Sequence, residues 1–153
     1  RLCDVPLIIC ASPEYLARHG EPATPEALLQ HRCTGFRRAS TGRMVPWELQ
    51  VDGNLVYQEV PTVASFNDLD TEVEAVRAGI GIGQLLAYMV HDDLVRGRLK
   101  PILTDYTSSN VGLYMYFPHR TQMPARVRRF IDFVVEASRG AEQSLSRLVG
   151  LAS

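Results

Sequence analysis

The chain has 153 residues, a formal net charge of −1, 46% hydrophobic residues and 22% charged residues. These values are typical of a globular domain, or a large part of one, that is long enough to bury a substantial core. Because DNA-binding domains usually concentrate Lys and Arg on one face, the balanced charge argues against a nucleic-acid contact made by this chain itself.

The cysteines and the apolar runs indicate a compartment. Cys3, Cys10 and Cys33 are odd in number and form no C-x-x-C pair, which predicts free thiols in a reducing cytoplasm rather than disulfides or a zinc site. No apolar run approaches the roughly 18 residues of a membrane span, so no membrane partner is expected. The first ten residues lack the layout of a signal peptide and instead predict a strand entered from within a larger domain.

The first predicted elements are a buried strand and two short helices. Pro6 to Ala11 is a continuous apolar run of the kind found in strands that are buried on both faces. Ser12 is a good N-cap for a helix over Glu14 to His19, which Gly20 ends. Thr24 to His31 carries the same start signal and predicts a second helix.

A hairpin is predicted next. Thr34 to Arg38 is a short strand, and Trp47 to Val51 alternates before the turn residues Asp52-Gly53. Leu55 to Ala64 then returns as one strand, or as a pair of strands interrupted at Pro61.

The second half of the chain predicts further alternation of helices and strands. A helix follows Ser65 to Asp68, a strand covers Ile80 to Leu85, a helix covers Leu86 to Arg96, and Leu99 to Leu103 is extended. The apolar stripe of the first of these helices consists of Leu69, Val73, Val76 and Ile80.

The last predicted elements are a strand and a strong helix. Val111 to Phe117 is a strand rich in aromatic residues, and Pro124 opens the helix. Ser138 to Ser153 is a weakly amphipathic tail that forms a short docking helix or is partly disordered. The face of the strong helix that is predicted to be buried consists of Val127, Phe130, Ile131, Val134 and Val135.

This alternation predicts an α/β domain with a mostly parallel, Rossmann-like sheet flanked by helices. In such sheets, ligands bind beyond the carboxyl ends of the strands, where the strand order reverses. The loops that follow predicted strands are Ser12-Pro13, Phe36-Arg37, Ser65 to Asp68 and Gln84-Leu85.

The strongest ligand-binding candidate among these loops is Ser65 to Asp68. The first-turn N–H groups of the helix that begins there favour an anion such as a carboxylate. Alternatively, Asn67 or Asp68 only caps the helix. Phe66 either packs on a ligand or belongs to the core.

The other candidates carry similar alternatives. Arg37 is suited to pairing with a carboxylate through two hydrogen bonds, or it is a solvated side chain, as Arg38 is expected to be. The Ser12 hydroxyl either contacts a ligand or caps a helix, and Gln84 is a candidate hydrogen-bond donor.

Cofactor, metal and catalytic sites are not expected. Gly79, Gly81 and Gly83 follow a helix and enter a strand, whereas a dinucleotide loop follows a strand, so they predict a helix C-cap and close backbone packing. His91-Asp92-Asp93 are consecutive on a helix and therefore point in different directions, and no Ser lies in a G-x-S-x-G motif.

Several segments together resemble a known family. CASPEYLARHGEPATPEALLQHRC, SFND, AVRAGIGIGQL, DDLVRGRLKPIL and YFPHRTQMPARVRRFIDFVVE occur in this order. Over Leu2 to about Ala137 the chain is similar to the effector-binding region of LysR-type transcriptional regulators. It departs from the family at Gly83, where Ala is common, and at Leu86, where Pro is common.

The resemblance implies a type 2 periplasmic-binding-protein fold, with two α/β lobes joined by two crossover strands and a ligand cleft between them. Residues 1–137 then form an effector-binding domain and residues 138–153 a tail. Within that domain, residues 10–110 are a complete second lobe, and residues 111–137 cross over and return to a partial first lobe, which leaves a face of the final helix uncovered.

The implied function is that of a cytoplasmic sensor without a cofactor. A small-molecule effector, expected to be an organic anion, binds the cleft and changes the geometry of a homo-oligomer. DNA is contacted only through a helix-turn-helix upstream of this chain. The alternatives are an extracytoplasmic solute-binding protein of the same fold, an α/β enzyme, and a fragment whose main behaviour is self-association.

Overall fold

Strand β1 (Cys3–Ala11) organises the structure, because it pairs with three other strands. The computed structural model describes residues 2–116 and 124–148. In it, β1 is antiparallel to β6 (Gly83–Leu86), β7 (Lys100–Pro101) and β8 (Ser108–Leu113). The run predicted as a buried strand from Pro6 is therefore confirmed and is three residues longer at its start.

Two further strands extend this sheet beyond β6. β2 (Cys33–Phe36) is parallel to β5 (Thr62–Phe66). β2 also joins the segment that leads into β6, because Cys33 bridges Ile82 in parallel and the Thr34 N–H donates to the Ile82 carbonyl at 2.8 Å. The order across the described sheet is therefore β5-β2-β6-β1-β7, in which β1 alone runs in the opposite direction.

The α/β class with a mostly parallel sheet is confirmed, since β5, β2, β6 and β7 run in one direction, and β1 is the exception. All three pairings of β1 are antiparallel. A strand followed by a helix and another strand usually predicts two parallel neighbours. Here β6 lies between β1 and β2, and β1 runs in the opposite direction to both. The order of the strands along the chain therefore differs from their order in the sheet.

β1 separates two apolar cores, one on each face of the sheet. Ile8 and Cys10 contribute to the first core, which α2 and α3 cover, and Ile9 and Ala11 contribute to the second. Cys10 and Cys33 are fully buried free thiols. Burial raises the pKa of each thiol to about 12, which makes both thiols chemically inert at neutral pH.

The helix starts agree with the predicted caps. Ser12 caps α1 (Pro13–His19), where its hydroxyl accepts a hydrogen bond from the Tyr15 N–H at 3.1 Å. Asp68 caps α2 (Leu69–Arg77). The helices after β6 and β8 are α3 (Ala87–Val95) and α4 (Ala125–Leu148), and the predicted second helix is a 3-10 helix over Pro25–Gln30.

The predicted hairpin is present and covers the second core. β3 (Trp47–Val51) and β4 (Asn54–Gln58) are antiparallel. Both turn residues have positive φ, 48° at Asp52 and 79° at Gly53. This backbone conformation matches the twist of a two-residue hairpin loop, which is why the Asp-Gly pair predicted the turn correctly.

Helix α4 differs from the prediction in length and in burial. It continues without a break to Leu148, so the segment beyond Ser138 belongs to it as far as the structure describes the chain. Val127 and Phe130 were predicted to be buried but are 38% and 61% exposed, because α4 packs mainly against β1 and α3 within the described residues. Ile131, Val134 and Val135 are half-buried.

Parts of other predictions lie outside the described residues. These are the end of the predicted strand at Phe117 and the last five residues of the predicted tail, and the division into lobes and tail stays a prediction. In the part of the chain that the structure describes, no helix has both the length and the hydrophobicity to cross a membrane.

A buried carboxylate joins α2, α3 and the approach to β7. Asp93 is 2% exposed and accepts hydrogen bonds from Arg77 at 2.6 and 3.0 Å and from Arg98 at 2.5 Å. Burial alone raises the pKa of this carboxyl, but the two guanidinium groups outweigh burial and hold the pKa below its ordinary value of 3.8. The neighbouring Asp92 is exposed, so the two consecutive acids point in different directions, as predicted.

We expect Asp93→Asn to lower the free energy of unfolding at pH 7 by about 1–3 kcal/mol, because it removes the charged acceptor that Arg77 and Arg98 share while both guanidinium groups stay partly exposed to water. The difference from the wild type should shrink below pH 3.8, where the unfolded carboxyl is protonated and the wild type loses this contribution. Urea denaturation measures both effects. Asp92→Asn is the matched control and should change stability by less than about 0.5 kcal/mol; equal losses in the two variants would contradict the assignment.

Candidate functional site

The carboxyl ends of β2, β5 and β6 meet at one edge of the sheet. Phe36 lies opposite Phe66, and the Arg37 N–H donates to the Phe66 carbonyl at 2.6 Å. The predicted loops at Phe36-Arg37 and Ser65 to Asp68 therefore converge with the end of β6, whereas Gln84-Leu85, predicted to follow a strand, lies within β6. Ser12 does not join them, because β1 is antiparallel to β6 and ends at the opposite edge of the sheet, where the Ser12 hydroxyl caps α1.

Two adjoining hollows open at this edge. The larger one, here called the helix-start hollow, is open and has a volume of about 640 Å³. The other, here called the edge hollow, has a volume of about 310 Å³. Phe36 and Leu69 line both, so the two hollows adjoin each other. The ends of β2 and β5 therefore border neighbouring hollows at this edge.

The edge hollow has mostly apolar walls. They come from β1, β2, the start of β3, the start of α2, β6 and β8. The polar groups in its lining are Arg38, Glu48, Glu72 and Gln84. Its principal apolar side chains are Leu7, Phe36, Trp47, Leu69, Leu86 and Val111. A few polar groups in apolar walls are the usual composition of a small-molecule site.

The helix start that was predicted to hold an anion is already occupied by Asp68. The Asp68 carboxylate accepts hydrogen bonds from the Thr71 N–H at 2.8 Å and from the Thr71 hydroxyl at 2.6 Å. These two hydrogen bonds lower the pKa of Asp68, so the cap is ionised at neutral pH. Asn67 is exposed and lines the helix-start hollow beside it.

Arg37 and Arg38 have exchanged their expected positions. The Arg37 guanidinium donates to the Gly42 carbonyl at 2.7 Å and to the Ser65 hydroxyl at 3.5 Å, away from the edge hollow. Arg38, expected to be only solvated, is exposed but lines that hollow. Side chains of successive strand residues point to opposite faces, and the sequence did not reveal which face bordered the depression.

Gln84 lines the edge hollow, but its amide is engaged in the protein. Its oxygen accepts from the Glu48 N–H at 2.9 Å, and its NH₂ group donates to the Glu48 carbonyl at 2.7 Å. The side chain therefore replaces a strand neighbour and ties β6 to β3. Because both ends of the amide bind the backbone of Glu48, the predicted role of Gln84 as a ligand donor is not supported. The local sequence did not reveal these contacts, because the two residues are 36 positions apart.

Glu72 was missed by the sequence reasoning and is the most unusual group in the edge hollow. It is 2% exposed and accepts a hydrogen bond from the Thr34 hydroxyl at 2.8 Å. Burial raises the pKa of this carboxyl, and the Thr34 hydrogen bond offsets only part of that effect. A signal was present in the sequence, because residue 72 falls between Leu69 and Val73 on the apolar stripe of α2.

The glycines near this site serve packing, as predicted. Gly79 follows α2 with a φ of 77°, which fits a helix C-terminus. A Cβ at Gly81 would lie 2.6 Å from the Arg32 carbonyl oxygen, and a Cβ at Gly83 would lie 3.0 Å from the Thr34 hydroxyl. Gly83 therefore leaves room for the Thr34–Glu72 pair. Within residues 2–116 and 124–148 no group of His, Cys, Asp or Glu side chains is arranged to hold a metal ion.

Comparison with known proteins identifies the family. Residues 1–139 match the family described as the LysR substrate binding domain. The chain belongs to this family. Among curated LysR-type relatives, an uncharacterised helix-turn-helix regulator, YcaN of Escherichia coli K12, is 38% identical over 85% of this chain and 42% of its own length. The regulator CrgA of Neisseria meningitidis serogroup C is 33% identical over 88% of this chain and 44% of its own length.

Solved LysR structures have the same fold. The Vibrio cholerae virulence activator AphB gives a TM-score of 0.68 at 26% identity, over 90% of this chain and 46% of AphB. The CrgA regulatory domain gives a TM-score of 0.65 at 26% identity, over 89% of this chain and 66% of that domain. This LysR chain therefore spans about two fifths of the length of the curated relatives it matches.

In this LysR domain, burial of Glu72 predicts a stability penalty at neutral pH. Arg38 and Glu48 line the edge hollow together with Glu72, and Glu72 also acts electrostatically on the buried Cys10 thiol. Because the folded-state pKa is raised above its ordinary value of 4.5, the ionised carboxyl opposes folding increasingly as the pH rises above 4.5.

We expect Glu72→Gln, which keeps the shape of the side chain, to raise the free energy of unfolding at pH 7 by on the order of 1 kcal/mol. The gain should disappear below pH 4.5, where both the folded and the unfolded carboxyl carry a proton. Thermal unfolding between pH 4 and pH 8 measures this. Glu74→Gln on the exposed side of α2 is the control and should show no such gain; a destabilised Glu72→Gln at pH 7 would contradict the prediction.

Proposed function

We propose that this chain is the small-molecule-sensing part of a DNA-binding transcription regulator and is not an enzyme. One observation carries the proposal: the edge hollow lies where the carboxyl ends of β2 and β6 meet β1 and β8. Leu7 of β1 and Val111 of β8 contribute to its wall. A molecule in this hollow would touch the sheet edge, β1, and the part of β8 at which the predicted crossover begins.

Such a molecule regulates only if it binds one arrangement of the crossover more tightly than another. The antiparallel pairing of β1 with β8 shifts register between Val5 and Leu7, next to the hollow. This irregularity is the point at which a ligand held against Leu7 can favour one arrangement of the two strands. The signal then passes along β1 and β8 to whatever those strands join.

The rest of the proposal extends to the whole regulator. It acts in the cytoplasm as a homo-oligomer, and a helix-turn-helix outside this chain contacts the DNA. Support comes from the relatives, since YcaN and CrgA are helix-turn-helix-type transcriptional regulators. The same support favours a regulator over a solute-binding protein or an enzyme.

Preference for an anion is not part of this proposal. It rested on the start of α2 and on Arg37, and both have other partners. Asp68 already supplies a carboxylate to the first turn of the helix, and Arg37 is bound to Gly42. The remaining cation at the edge hollow is Arg38, which is exposed to solvent and therefore holds an anion only weakly.

The binding site is tested by filling the edge hollow. We expect benzylamine, benzyl alcohol or benzoate, tested in parallel, to shift the backbone amide resonances of Phe36, Leu69 and Gln84 in the wild-type chain. Leu86→Trp should abolish these shifts, because the larger ring occupies the volume of the hollow. Val56→Trp, at an exposed position of β4, is the matched control and should keep them. Shifts that persist in Leu86→Trp would place the ligand elsewhere.

Assembly is tested separately by sedimentation velocity. We expect the 153-residue chain to form a dimer or larger oligomer at micromolar concentration, because apolar side chains on α4 such as Phe130 and Phe133 are more than 60% exposed. A single monomeric species across that range would remove self-association from the proposal and leave the ligand site unaffected.

A further inference from the structure

The edge hollow contains one feature that its apolar walls do not explain, the carboxyl of Glu72. This side chain is 2% exposed, whereas the other acidic member of the hollow, Glu48, is only partly buried. Moving a carboxylate out of water costs several kcal/mol unless partners replace the lost hydration. A sequence under no constraint except packing would place an apolar residue on this stripe of α2.

One side-chain hydrogen bond holds the carboxyl of Glu72 within the described residues. The structure gives its carboxyl one donor, the Thr34 hydroxyl, and that contact is made to Oε1. A carboxylate has two oxygens with about four acceptor positions. The residue nevertheless lines the edge hollow, so the unused acceptor positions are available to a molecule that enters from that side.

The surrounding packing preserves this arrangement. A Cβ at Gly83 would lie 3.0 Å from the Thr34 hydroxyl and 2.5 Å from Val76 Cγ2. Glycine at this position therefore allows Thr34 to stand beside β6 and to hold Glu72 in place. The pair is part of the sheet edge rather than a mobile surface contact, because Thr34 is fully buried.

The charges around both hollows favour a cation. Glu48 and Glu72 line the edge hollow, and Asp68 and Asp70 line the adjoining helix-start hollow. Against these four carboxyls, the described lining of the two hollows contains one cationic residue, Arg38. A ligand that brings positive charge gains from this field and restores a partner to Glu72, whereas a carboxylate ligand is repelled.

We propose that Glu72 determines the specificity of the edge hollow, which accepts a small apolar molecule carrying a protonated amine. This inference rests on the proposed function, since it names the ligand class of the same site. The apolar part packs on Phe36, Trp47 and Leu86, and the amine donates to the Glu72 carboxylate. A hollow of about 310 Å³ fits a ligand near the lower limit of typical pockets, such as one ring with a short amine.

The test uses three probes of matched size that differ in charge: benzylamine, benzyl alcohol and benzoate. Titrations of the 153-residue chain, followed by the amide resonances of Phe36, Leu69 and Gln84, give an affinity for each. We expect affinity to fall from benzylamine through benzyl alcohol to benzoate. Glu72→Gln should weaken benzylamine about tenfold, the usual effect of removing a charged hydrogen-bond partner, and should leave benzoate unchanged or bound more tightly.

Two further variants separate specificity from structure. Glu72→Met keeps a similar side-chain volume but has no carboxylate to accept a hydrogen bond, so it should bind benzyl alcohol and benzylamine equally. This second variant keeps the test decisive even if Glu72→Gln folds poorly. Glu74→Gln, on the exposed side of α2, should keep the wild-type order of the three probes. A purely structural role for Glu72 would instead weaken all three probes by the same factor.

The outcomes distinguish this inference from the proposed function. If benzoate binds the wild-type hollow as tightly as benzylamine, the hollow is a ligand site but Glu72 does not select an amine. The same conclusion follows if Glu72→Gln retains the preference for benzylamine. If none of the three probes shifts the amides that border the edge hollow, both the inference and the site assignment fail.

Discussion

The structure depends on the burial of β1 between two cores. Its residues alternate so that Ile8 and Cys10 face α2 and α3 while Ile9 and Ala11 face α1 and the hairpin. Neither face of the sheet is complete without this strand, because both cores are built on it. The beginning of the same strand pairs with β8, so the position of β1 also fixes the position of β8.

The direction of β1 also determines where the site is. Because β5, β2 and β6 run together and β1 runs against them, the loops after Phe36, Phe66 and Leu86 share one edge, and the loop after Ala11 is at the other. The segment of β1 that reaches the shared edge is its beginning, at Leu7. The proposed ligand site therefore lies where the sheet edge meets β1 and β8.

Local features of the fold were predictable, because they depend on interactions within a few residues. The caps at Ser12 and Asp68 and the Asp52-Gly53 turn each satisfy backbone groups close by in sequence. The loops that border the hollows were predictable for a related reason, since the carboxyl ends of parallel strands meet. The polar groups of the site were harder to predict from the sequence. Gln84 and Glu72 are defined by partners 36 and 38 positions away, which no local pattern specifies.

Exposure of α4 could be anticipated only through the resemblance. The spacing of Val127, Phe130 and Ile131 predicts an apolar face, and a periodic pattern gives no information on whether a partner is present to cover it. In the described residues this face meets β1 and α3 over part of its length, and Phe130 is left 61% exposed.

The two buried thiols, one in each core, have a further consequence. With a pKa of about 12, Cys10 and Cys33 hold roughly one thiolate in 10⁵ molecules at pH 7, and both sulfurs are shielded from reagents. Alkylation of either sulfur must wait until the sheet separates. The rate at which iodoacetamide modifies Cys10 therefore reports the rate at which the core opens. Oxidation of these sulfurs by peroxide requires the same opening.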